Sequence, residues 1–92
     1  MYIEEFRAAG ALTTESAEEL AAMAGRYTSR IAVSSNDRSV HALILPWCWE
    51  ELRLRAGSPV TVTAEQGHRP DLGEDRQAIR AFVDRFQELV GT

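Results

Sequence analysis

Between Pro59 and Ala64 the chain alternates, with Val60 and Val62 set against Thr61 and Thr63. A period of two with β-branched side chains predicts a strand buried on one face. The rhythm changes from about Glu74 to Val90. There Ala78, Ile79, Phe82, Val83, Phe86, Leu89 and Val90 recur at three- and four-residue spacing, predicting a helix with one continuous apolar stripe. A shorter helical pattern runs from Thr13 or Thr14 to about Gly25, with Ala17, Leu20, Ala21 and Ala24 on one face. Glu15, Glu18 and Glu19 near its start suit the positive end of the helix dipole. Ser16 with Glu19 offers one capping box, and Gly25 suits the C-terminal end.

Residues 2–8 predict a first strand, although Glu4 and Glu5 spoil its alternation. Residues 29–35 predict a second, with Ile31 and Val33 on one face. Asn36-Asp37-Arg38 reads as a turn and residues 39–44 as the returning strand, where Val40, Ala42 and Ile44 form the core-facing set. Pro46 fits the first position of a short helix that reaches about Leu52. Residues 66–73 form a polar loop containing Pro70 and His68. The order β-α-β-β-α-β-α predicts an α+β fold, a four-stranded antiparallel sheet with three helices covering one face.

Composition narrows the function classes. A chain of 92 residues holds one core, so residues 1–92 are expected to form a single domain. The net charge of -4 excludes a general nucleic-acid binder, which needs a basic surface. The lone Cys48 permits no intrachain disulfide, and Cys48 with the separated His41 and His68 makes no metal-ligand pattern. Nothing at the start has the basic-then-apolar order of a signal peptide, and no apolar run reaches the roughly 20 residues that span a bilayer. These features predict a cytoplasmic protein without membrane attachment, metal or other cofactor. No acid–base pair or nucleophile triad stands out, so an enzyme is not expected.

Several local matches carry a family resemblance. Tyr27-Thr28-Ser29-Arg30-Ile31-Ala32-Val33 looks like an aromatic-led second strand. Leu52-Arg53-Leu54-Arg55-Ala56-Gly57 resembles a Leu-Gly-Leu-x-x-Gly segment, and Val60-Thr61-Val62-Thr63-Ala64-Glu65 resembles a fourth strand. Gly73-Glu74-Asp75 then leads into a final helix. Together, in this order and length, they are similar to HPr, the histidine-containing phosphocarrier family of sugar phosphotransferase systems. The resemblance covers nearly the whole chain and implies the HPr-like open-faced sandwich.

Fold does not settle function. The family's phosphorylatable segment is Gly-Leu-His-Thr-Arg-Pro, in which a neutral imidazole attacks phosphoryl while a helix N-terminus and an arginine neutralise the charge. Here the matching stretch is Ala11-Leu12-Thr13-Thr14-Glu15-Ser16. Thr13 stands at the histidine position, Glu15 at the arginine position and Ser16 at the proline position. Threonine offers no ring nitrogen, and the structural role expected of Thr13 or Thr14 is to cap the helix. At an effective dielectric near 20, like unit charges about 4 Å apart repel by roughly 4 kcal/mol, so Glu15 makes the segment hostile to phosphate. The family's regulatory serine position is taken by Leu45, just before Pro46.

What the resemblance leaves is docking. Two tryptophans, Trp47 and Trp49, lie about 200° apart on a helix, so they face different ways. The family pattern turns Trp49 and Leu52 to the core and leaves Trp47 exposed as an interface anchor. The expected interaction residues are Thr13, Thr14, Glu15, Trp47, Cys48 and Glu50. The expected function is a non-phosphotransferring regulatory or interaction module with a protein partner, present as monomer or homodimer. The alternative is a phosphocarrier whose acceptor has moved to His41 or Thr13. Cys48 reads as an incidental thiol, His41 as a residue on the solvent face of the sheet, and His68 as exposed.

Overall fold

A computed structural model describes residues 1–67 and 73–90 of the chain. The elements are β1 (Tyr2–Arg7), α1 (Thr14–Ala24), β2 (Arg30–Ser35), β3 (Arg38–His41), α2 (Leu45–Cys48), β4 (Pro59–Glu65) and α3 (Glu74–Val90). Short 3₁₀ turns, Ala42–Ile44 and Trp49–Leu52, flank α2 and make one continuous helical stretch with it. The four strands form a single antiparallel sheet in the order β1-β4-β2-β3. This is the α+β open-faced sandwich that the pattern predicts. No helix among the described residues is long and apolar enough to cross a membrane.

Register follows the alternation of β4. Val60, Val62 and Ala64 are buried, while Thr61 and Thr63 lie on the open face. Val62 stands opposite Val33, and Ala64 opposite Ile31, so both partners present apolar side chains to the helices. A one-residue slip would turn every one of them to water. Phe82 and Phe86 of α3 are fully buried, and Phe6 packs edge-on against Phe86 with ring centroids 5.3 Å apart. Full burial of such side chains contributes about 1.5–3 kcal/mol each.

The poor alternation of β1 has a structural counterpart. Glu4 pairs with Val62, so it sits on the helix-covered side of an edge strand, half-buried. An inward-pointing charge at a sheet edge discourages a second edge from pairing there.

One predicted boundary moves. The third strand ends at His41, three residues before the expected Ile44, because Ala42–Ile44 already turns as a 3₁₀ helix. Ala42 and Leu45 are the buried pair of this stretch, and Ile44 is exposed rather than core-facing. At α1, Thr13 is the N-cap, as one of the two threonines expected there: Thr13 Oγ1 accepts from the Ser16 N–H at 3.1 Å, and Ser16 Oγ accepts from the Thr13 N–H at 2.8 Å. This reciprocal box replaces the expected Ser16–Glu19 pairing. Buried Leu12 and Ala17, before the cap and at the fourth helical position, hold the chain's entry angle.

The start of α3 is tied to the loop before β2. Glu74 is buried and accepts from the Thr28 N–H at 2.7 Å and from the Thr28 hydroxyl. Asp75 Oδ1 accepts from Ser29 Oγ at 2.6 Å and from the Gly67 N–H at 2.8 Å. A Cβ on Gly67 would fall inside contact distance of Ser29 Oγ and Asp75 Oδ1, so a side chain there would have to displace this clasp. Most of the polar loop predicted over residues 66–73, with His68 and Pro70, lies outside the described residues.

Candidate protein-docking site

Thr13 begins the first group of expected site residues. Its hydroxyl is committed to the cap, within 3.1 Å of both the Ser16 N–H and Ser16 Oγ. Thr14 and Glu15 follow as the first two residues of α1, both exposed. Glu15 therefore places its carboxylate where the helix dipole favours an anion that belongs to the protein itself. Glu19, one turn later, is held by Arg85 of α3 through Nη2 at 2.9 and 3.0 Å from its two carboxylate oxygens. That pair leaves Glu15 and Glu18 as the carboxylates of this end of α1 with no ion-pair partner among the described residues.

The second group lies on the helical stretch around α2. Trp47 is 79% exposed, the most exposed large apolar side chain of the described residues. Trp49 is half-buried and packs against the core, and Leu52 is fully buried. The different directions of the two tryptophans follow from their spacing of two residues. Leu43 and Ile44 are 48% and 46% exposed and precede Trp47 by four and three residues. On a helical path those spacings put all three on one side. Glu50 and Glu51, three and four residues after Trp47, are exposed and border the same side.

Leu43 and Ile44 are the exposed apolar neighbours of Trp47 that the sequence pattern does not single out, because a strand over residues 39–44 divides them between core and open face. The available signal was the unbroken run Ala42-Leu43-Ile44-Leu45, which alternates with nothing and ends at a proline.

Cys48 is half-buried beside this surface. Partial burial, followed by the charge of Glu51 and a hydrogen bond with it, pushes the Cys48 thiol above the usual cysteine range. At neutral pH it is correspondingly less ionised than an ordinary cysteine. Leu45, expected to stand in place of a regulatory serine, has a fully buried side chain. His41 stands opposite Ala32 on the open face of the sheet, and its Nδ1 accepts from the Leu43 N–H at 3.3 Å, capping the 3₁₀ turn. No three His, Cys, Asp or Glu side chains among the described residues are grouped to hold a metal.

Thr13 caps the first residue of α1, whereas a Cβ on Gly25, at the other end, would lie 3.8 Å from Leu43 Cδ2. The eleven residues of α1 span about 16 Å at 1.5 Å per residue. A partner touching both Thr13 and Leu43 would have to cover the length of α1.

No protein-family model matches the sequence, nor does any curated protein. Solved structures match in fold. HPr-C-His from Thermoanaerobacter tengcongensis is similar over 100% of this chain and 98% of its own, with a TM-score of 0.77 and 21% identity. The phosphocarrier protein HPr from Bacillus anthracis gives 0.74 and 17% identity, covering 91% of this chain and 94% of its own. A histidine-containing phosphocarrier protein from Mycoplasma gives 0.69 and 19%, covering 97% and 100%. The open-faced sandwich is thus the HPr fold.

Proposed function

We propose that the chain is a single-domain, cytoplasmic, HPr-like module that docks a protein partner without carrying phosphoryl groups or catalysing a reaction. The observation that carries this reading is Trp47, 79% exposed beside Leu43 and Ile44. Large exposed apolar side chains grouped on one side of a helix are the usual material of an interface centre. The flanking Glu50 and Glu51 favour a partner whose apolar pocket is rimmed by arginine or lysine.

The former phosphate end supports the same reading. Thr13 spends its hydroxyl on the helix cap, and Glu15 sets a carboxylate beside it. His41, the other alternative acceptor, uses Nδ1 to hold the Leu43 N–H. Incubation with a phosphoenolpyruvate-dependent phosphotransferase enzyme and its substrate should leave no acid-labile phosphate on the chain. Stoichiometric labelling, lost on His41→Ala or Thr13→Ala, would overturn the reading in favour of a relocated acceptor. Once a partner is in hand, Trp47→Ala should weaken its Kd at least about tenfold, the effect of losing an interface anchor. An unchanged Kd would remove the docking surface from the proposal. The inward Glu4 on edge strand β1 favours a monomer, which sizing chromatography across concentrations checks.

A further inference from the structure

We infer that a second site, separate from the Trp47 surface, binds a small phosphate-bearing molecule in a cleft walled by three arginines. The cleft is lined by Asn36, Asp37, Arg38, Arg53 and Arg55 and has a volume of about 550 Å³. That lies within the range of roughly 300–1,000 Å³ typical of small-molecule sites. Its lining carries three guanidiniums against the one carboxylate of Asp37, in a chain whose net charge is -4. None of the three guanidiniums forms a hydrogen bond or ion pair with a described residue, whereas Arg7 and Arg85 are both engaged. Guanidinium groups left unneutralised around one concavity match the oxygens of a phosphate, which they bind through paired N–H donors.

The cleft is also built. The β2–β3 turn puts Asn36 and Asp37 at φ 51 and 64, and the Asn36 amide then donates to the carbonyls of Leu52 and Arg53 at 2.7 and 3.1 Å. Two distant segments are thereby clamped with Arg38 on one wall and Arg53 and Arg55 on the other. Arg53 itself sits at φ 51 and ψ 43, the left-handed conformation that glycine adopts without steric cost. An arginine held in that conformation, with its head group facing no internal partner, is strain kept at a place where the side chain has a use. Polar lining, fixed walls and two net positive charges favour a compact polyanion such as a diphosphate over a flat apolar ligand.

The test is titration of the whole chain with pyrophosphate, using inorganic phosphate and a neutral sugar for comparison, by calorimetry and amide chemical shifts. Saturable one-to-one binding of pyrophosphate is expected, weaker binding of phosphate and none of the sugar, with shifts centred on Asn36–Arg38 and Arg53–Arg55. The double variant R53G/R55Q should weaken binding at least about tenfold, consistent with two lost charge-assisted contacts. It removes both guanidiniums while placing glycine where the backbone is left-handed, so the fold is retained. The charge-matched control R30Q/R80Q, altering exposed residues outside the cleft, should bind like the parent. Absent or unsaturable pyrophosphate binding, or equal weakening in the control, overturns the inference. So does a hexaglutamate peptide or an oligonucleotide that binds the cleft tenfold more tightly than pyrophosphate.

Discussion

The carboxylate of Glu74 accepts from the backbone N–H of Thr28 at 2.7 Å, across 46 residues of chain. Glu74 is the first residue of α3 and is 2% exposed, so its charge is compensated by hydrogen bonds and by the positive end of its own helix. Glu74→Ala would leave the Thr28 N–H and hydroxyl short of their acceptor. The expected loss is about 2–3 kcal/mol of unfolding free energy, read from urea denaturation. Glu74→Gln, which keeps one acceptor oxygen, should lose less. Equal stability of the alanine variant and the parent would show that the clasp contributes nothing.

The Cys48 thiol gives a prediction in pH. Partial burial and then Glu51 raise its pKa, so the thiolate fraction at pH 8 is below that of an ordinary cysteine. Alkylation by iodoacetamide at pH 8 should therefore run more slowly than for free cysteine. Glu51→Gln removes the charge that disfavours the thiolate, lowers the pKa, and should shift the rate-versus-pH curve to lower pH. A curve unmoved by that substitution would leave burial as the sole cause.

Arg53 offers a test of backbone strain. Its left-handed conformation costs a non-glycine residue on the order of 1–2 kcal/mol, partly offset by the entropy glycine loses on folding. Arg53→Gly should accordingly stabilise the chain by up to about 1 kcal/mol. Thermal denaturation reads this directly. A lower midpoint would mean that the arginine stem packs more than its exposure suggests.

The same residues show what the sequence made legible. β4 and α3 could be read because each keeps one period over its length, and Val60, Val62, Phe82 and Phe86 are buried as the pattern requires. The end of β3 could not. Leu45 precedes Pro46, and a residue before proline is biased to extended backbone. Here Leu45 is helical at φ -49 and ψ -40, because burying Ala42 and Leu45 together outweighs that local bias. The missed strand end hid Leu43 and Ile44, two of the three exposed apolar side chains on the Trp47 side of the helical stretch. The α1 cap was ambiguous for another reason: Thr13, Thr14 and Ser16 all favour N-caps, and the choice fell to the residue whose neighbour Leu12 can bury. The arginine cleft had no sequence signal, since Arg38 and Arg53 lie on different segments that share the cleft only once the chain is folded.

The two tryptophans supply the sharpest separation of fold from function. Trp47 is 79% exposed, so Trp47→Ala removes little buried surface, and its unfolding free energy should stay within about 0.5 kcal/mol of the parent. Trp49 is half-buried against the core cluster, two residues away on the same helical stretch. Trp49→Ala should cost several times more, about 2 kcal/mol, a value below that for a fully buried tryptophan because part of the ring already meets water. Denaturation of both variants, with intrinsic fluorescence of each remaining tryptophan, measures the contrast. The fluorescence of Trp47, in Trp49→Ala, should be red-shifted and readily quenched by iodide in the folded chain. Comparable stability losses in the two variants, or a shielded Trp47, would place that side chain in the fold and take away the surface proposed for docking.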